Sequence, residues 1–123
     1  MRYEEIIASV AERTGLFRGD AVALTCATLA TLAERISGGE ARDMTAQLPP
    51  PLKNPLRPAQ EEAEAFGFDE FVNRVAQRSQ CDSTVSGAAV DAVMVTLRDA
   101  VTPGEFDDVL SQLPKDFHRL GAR

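Results

Sequence analysis

The chain has no tryptophan, one tyrosine, one histidine and two cysteines among its 123 residues. The single histidine, His118, sits near the C-terminus in DFHRL with no nucleophile or second base at a recognisable spacing, so it defines no acid–base site. Cys26 and Cys81 form neither a disulfide framework nor a metal motif, and both are expected as free thiols, Cys26 inside a helix. Cys81 also lacks a neighbouring cation that would favour its thiolate. Long apolar runs are missing as well. Nothing approaches the roughly 18 residues of a membrane span, and MRYEEIIASV places two acids where a secretory signal needs an uninterrupted apolar stretch. A cytoplasmic location is therefore expected. Positive charge is short: 13 Lys and Arg face 19 Asp and Glu, for a net charge of −6. The deficit is spread as −2, −1 and −3 over residues 1–52, 53–67 and 68–123. Such an even negative field repels phosphate backbones and anionic lipid, which argues against nucleic acid or a membrane surface as partner.

What the chain does have is one stretch written twice. Gly39 to Pro49 reads GEARDMTAQLP and Gly104 to Pro114 reads GEFDDVLSQLP. A shift of 65 residues aligns 3–52 with 68–117 without a gap, and 14 of those 50 positions are identical. Two copies of one supersecondary unit are implied. A unit of about 50 residues buries too little surface to be stable alone, so the copies should pack on each other.

Each copy reads as three helices. Tyr3, Ile6, Ile7, Val10 and Ala11 make an amphipathic stripe, repeated by Phe68, Phe71, Val72, Val75 and Ala76. Gly15 suits a left-handed cap, whereas its counterpart Gln80 predicts a different ending for the second copy. The second elements, from about Asp20 to Ile36 and from Asp82 or Ser83 to Val101, are apolar over most of their surface and should lie centrally. The latter shows Asp91, Arg98 and Asp99 on one side, which predicts greater exposure. The third helices begin at Ser37-x-x-Glu40 and Thr102-x-x-Glu105, both matching the capping box. They stop before Pro49 and Pro114, which cannot donate a helical hydrogen bond. Between the copies, five prolines predict a stiff extended run, with a short helix over 59–66. After the second copy, Phe117 and Leu120 could dock as one last turn, and the last three residues should fray.

Read together, the pattern is all-α: two tandem three-helix repeats packed as a six-helix bundle with pseudo-two-fold symmetry. One domain is expected, with repeat 1 at 1–52, a proline-rich acidic connector at 53–67 and repeat 2 at 68–123. The alternatives are two loosely tethered halves or a dimer that exchanges halves through the connector.

The opening YEEIIASVAERTGL, the ATLATLAERISGGEARDMTAQLP block, and FDEFVNRVAQR through VTPGEFDDVLSQLPKDF together resemble the bacterial domain of unknown function family number 2267. The resemblance spans nearly the whole chain. It implies an all-helical cytosolic bacterial protein and carries over no catalytic or binding residues. Phe17 departs from the pattern, since a helix-capping residue such as Asp82 of the second copy is expected there.

Glu40, Asp43, Glu105 and Asp108 form the sharpest constellation, because a pseudo-two-fold could bring two helix-borne carboxylate pairs together around Mg²⁺, Ca²⁺ or a di-iron centre. The capping box and helix dipole account for the same acids without any metal, and di-iron bundles draw histidines from their helices, which these lack. The expectation is thus no metal, no cofactor and no enzymatic activity. Gln47 and Gln112, which precede Leu-Pro in both copies, could satisfy carbonyls at the helix end, touch the other copy or bind a ligand. Arg13 and Arg78 suit helix C-termini and could pair with acids of the third helices. The preferred function is a non-enzymatic interaction or adaptor protein with a protein partner, a homodimer being one option. The alternatives are a small-molecule binder with an apolar cleft around Phe71, Phe106, Val109 and Phe117, and a carboxylate-based metal protein or enzyme.

Overall fold

Apolar residues at helical spacing set where the helices run, and side-chain caps at Ser37, Asp82 and Thr102 set where three of them begin. The computed structural model describes residues 1–58 and 60–121. Its elements are α1 (Tyr3–Thr14), α2 (Arg18–Arg35), α3 (Gly38–Ala46), α4 (Phe68–Ser79), α5 (Ser83–Ala100) and α6 (Pro103–Ser111). Short 3₁₀ segments, Pro50–Leu52 and Lys115–Gly121, follow α3 and α6. No strand occurs among the described residues. Helix lengths run 12, 18 and 9 residues, then 12, 18 and 9 again. No single helix among the described residues is long and apolar enough to cross a membrane.

The first helix of each half packs most closely on the second helix of the other: α1 on α5 and α4 on α2. Helices α2 and α5 also pack together at the centre, and α3 meets α6. One apolar cluster runs through all six helices and includes Leu24, Leu29, Leu32, Phe71, Val90, Met94, Phe106 and Phe117. Burial of Leu-sized side chains contributes about 1.5–3 kcal/mol each, so this cluster is the main source of stability.

Several expectations change. Gln80 does not end α4 differently: it takes the same left-handed cap as Gly15, with φ of 61° against 74°, and each donates its N–H to the carbonyl four residues back at 2.8 Å. Helix α5 is only slightly the more exposed of the central pair, with eight buried residues against nine in α2. The reason lies in the C-terminal 3₁₀ turn, where Arg119 pairs with Asp91 at 2.7 Å and Arg98 donates to the Leu120 carbonyl at 2.7 Å. Phe117 and Leu120 dock there as expected. Ala59 lies outside the described residues, as do the last two residues, where fraying is expected.

The connector is more than a spacer. Leu52 and Leu56 are fully buried in the shared core. No helix forms over 60–66. Instead the Glu61 carbonyl accepts the Gly38 N–H and the Glu64 N–H donates to the Glu34 carbonyl, both at 2.8 Å. These bonds satisfy orphan groups at the end of α2 and the start of α3, which outweighs the local helix propensity of an Ala/Glu-rich run. Phe66 is held under the Arg74 guanidinium, 3.9 Å from its ring centroid.

Candidate functional site

The duplicated GE…QLP segments meet across the α3–α6 contact. Ser37 caps α3 and Thr102 caps α6, their hydroxyls accepting the Glu40 and Glu105 N–H groups at 3.1 and 3.3 Å. That is the hydroxyl half of a capping box. The carboxylate half is absent, and here the structure corrects the expectation. The Ser37 N–H goes instead to Gln112 Oε1 at 2.7 Å, and the Thr102 N–H to Gln47 Oε1 at 2.8 Å. Each glutamine amide then donates back to the hydroxyl of the same cap at 3.3 Å. Each half therefore caps the other's third helix. Pro49 and Pro114, which follow Leu48 and Leu113, end the helices so that the glutamines fall at the C-caps where they can reach across.

Because the glutamines take over the capping duty, Glu40 and Glu105 are released to face one another. One carboxylate oxygen from each of Glu40, Asp43 and Glu105 lies within 4.8 Å of the others. Glu105 is buried at 9% exposure, Glu40 is half-buried and Asp43 is open to solvent. Asp108 does not join the group; it stays exposed and contributes only its field. Oε2 of Glu40 and Oε2 of Glu105 are both buried without a hydrogen-bond partner. Among the described residues no ion pair reaches any of the three carboxylates.

Two facing carboxylates offer acceptors only, so something positive must lie between them. A proton on one of them meets that need. Burial pushes the Glu105 carboxyl up to about 8, assisted by its hydrogen bond and charge contact with Glu40 and by the charges of Asp43 and Asp108. This raised value stabilises the fold at low pH. The contribution is full below the ordinary glutamate range near 4.5 and is lost as pH rises through about 8.

The remaining candidates have structural duties. Arg13 pairs with Asp99 at 3.6 Å and Arg78 with Glu34 at 2.7 Å, so their acids sit on the second helix of the opposite half, not on the third helices. Arg78 also donates to Thr31 Oγ1 at 2.7 Å. Glu34 collects Arg74 as well, at 3.1 Å, and these arginines hold its carboxyl below the ordinary range. His118 Nε2 lies 3.0 and 3.2 Å from the Leu110 and Leu113 carbonyls, where its N–H satisfies the end of α6. Cys26 and Cys81 are free and half-buried, and burial raises the Cys26 thiol pKa. The proposed apolar cleft is filled by its own lining: Phe71, Phe106, Val109 and Phe117 are all buried. Phe71 and Phe117 pack edge to face with centroids 5.0 Å apart.

Sequence reasoning gave Phe17 no site role, yet it stands 87% exposed at the start of α2. It occupies the N-cap without making a cap hydrogen bond, whereas Asp82 at the matching position accepts the Val85 N–H at 2.8 Å. The missing cap residue was the available signal.

These features define an all-helical protein whose distinctive chemistry is a carboxylate cluster where two helix starts meet. The family model described as uncharacterized conserved protein (DUF2267) matches residues 3–120, and the chain belongs to that family. Comparison with curated proteins gives no match.

Proposed function

We propose that this is a non-enzymatic interaction protein of the bacterial cytoplasm, built from two three-helix units (1–52 and 68–123) joined by 53–67. The units pack as one six-helix bundle about an approximate two-fold axis. Recurring helix lengths, reciprocal glutamine caps and the crossed packing of α1 on α5 and α4 on α2 support that architecture.

The observation that carries the interaction reading is Phe17. A side chain of this size, left 87% exposed, forgoes about 2 kcal/mol of burial. At an N-cap it also forgoes about 1 kcal/mol that the aspartate of the other half realises. A position that surrenders both terms serves contact with another molecule. Its neighbour Arg18 donates from Nη2 to both carboxylate oxygens of Glu4, each at 2.9 Å, on the rim of a shallow groove floored by Ile7, Ala8 and Ala11. The partner is a protein that receives the Phe17 ring in an apolar pocket and meets this charged rim.

The test uses a photo-crosslinking phenylalanine analogue at position 17 in the native host, with the same analogue at exposed Asp107 as control. A discrete protein adduct specific to position 17, and lost on competition with wild-type chain but not with Phe17→Asp, is the expected outcome. An adduct of twice the chain mass identifies the partner as a second copy. Equal labelling from both positions would sink the reading.

A further inference from the structure

We propose that the α3–α6 carboxylate cluster is a binding site for one hard divalent cation, with Glu40, Asp43 and Glu105 as its protein ligands. Three features carry this beyond a group of acids. The first is mutual geometry: a carboxylate oxygen from each residue lies within 4.8 Å of the others. Opposed oxygens around a Ca²⁺ held at 2.3–2.6 Å lie about 5 Å apart, so the set needs little movement to close on an ion. The second is the state of Glu105. It is nine-tenths buried, and its Oε2, like Glu40 Oε2, is buried without a hydrogen-bond partner. A buried pair of acceptors without a donor is a costly arrangement that a cation resolves directly. The third is that neighbouring donors are committed elsewhere. Gln47 and Gln112 are spent on the Thr102 and Ser37 caps, and Arg42, beside Asp43 in the chain, pairs with Glu61 at 2.7 Å.

The donor set selects the ion class. Oxygen-only, carboxylate-rich coordination suits Ca²⁺, Mg²⁺ or Mn²⁺, and the group contains no nitrogen or sulfur ligand that would favour zinc or copper. Exposed Asp43 marks the solvent side, through which the ion enters and on which water completes its shell. The divalent ion takes up the carboxylates and any proton carried by Glu105 leaves to solvent, so charge and atoms balance. Since α3 and α6 come from opposite halves, the ion would tie the two together at the site of the duplicated motif.

The experiment is calorimetric titration of the chelator-stripped full chain with Ca²⁺, Mn²⁺ and Mg²⁺ separately. It is run near neutral pH in two buffers of different ionisation enthalpy, alongside melting curves. At least one ion should bind saturably at about one per chain, release up to about one proton and raise the melting temperature. Glu105→Gln can still hydrogen-bond to Glu40 and should fold, yet lose binding altogether. Asp43→Asn, at a solvent-exposed position, should weaken binding about tenfold or more with unchanged helix content. No saturable binding below millimolar concentration for any of the three ions would overturn the proposal, as would binding that survives undiminished in Glu105→Gln. Neither result bears on the Phe17 contact.

Discussion

At position 17 the first half starts its central helix on an exposed phenylalanine, while the second half starts the matching helix at Asp82 with a side-chain cap. A similar asymmetry runs through the molecule. Glu34 on α2 gathers Arg74 and Arg78 with 19% of its side chain exposed, whereas its equivalent Asp99 on α5, 52% exposed, holds Arg13 at 3.6 Å. Gln112 caps half-buried Ser37, while Gln47 caps exposed Thr102. Even the left-handed ending is a glycine in one half and a glutamine in the other. The two halves thus keep the same backbone plan and spend their polar groups differently. Of the Glu34 and Asp99 pairs, the one that lies under other chain is tight and the one that faces solvent is loose. Burial decides which of two equivalent residues matters, because solvent screens the exposed one.

The largest expected effect concerns Glu105, the buried member of the Glu40–Glu105 pair. In chelator, unfolding free energy should fall by up to about 1.4 kcal/mol per pH unit as pH rises from 4.5 toward 8, since the folded chain retains a proton the unfolded chain has lost. Denaturant melts across this range should give the slope, and Glu105→Gln should flatten it. Depressed Glu34 acts oppositely, its contribution being lost only as pH falls below the ordinary glutamate range.

Next in size, Glu34→Ala should cost about 1–2 kcal/mol, because it removes the carboxylate that Arg78 and Arg74 share, although Arg74 keeps Glu64 and Glu70, while Asp99→Ala should stay within about 0.5 kcal/mol. Equal losses would show that the halves do not differ here. Gln112→Ala should cost about 1–2 kcal/mol by leaving a half-buried N–H unpaired, and Gln47→Ala under about 1 kcal/mol because water reaches Thr102. Two substitutions should make the halves more alike and gain stability, both readable from thermal melts. Phe17→Asp should add about 1 kcal/mol by installing the missing cap, although it should abolish the Phe17-dependent adduct. Gln80→Gly should add about 0.5 kcal/mol by relieving a left-handed backbone at a residue with a Cβ.

Much of this was legible in the sequence. The i, i+3, i+4 stripes located α1 and α4, the Ser/Thr-x-x-Glu signals placed Ser37 and Thr102 at their caps, and Pro49 and Pro114 marked the ends. The capping-box carboxylates were misread because the competing groups are far away in the chain. Gln112 is 75 residues from Ser37, and Gln47 is 55 from Thr102. No local pattern reports such a partner. The same holds for the helix expected over 59–66, where propensity favoured a turn of helix that backbone partners on α2 and α3 outbid. Asp91 and Arg98 read as an exposed face because nothing local says that the last turn covers them.

By itself the sequence determined the helices and their order, because periodicity and capping act over a few residues and are written in adjacent positions. Only the tertiary structure decided what the duplicated GE…QLP motif is for. Once each glutamine crosses to cap the other half, both glutamates lose their local duty and are driven into one buried contact. The chemistry of that contact depends on burial and on a neighbour from the opposite half, two properties that no stretch of chain carries alone.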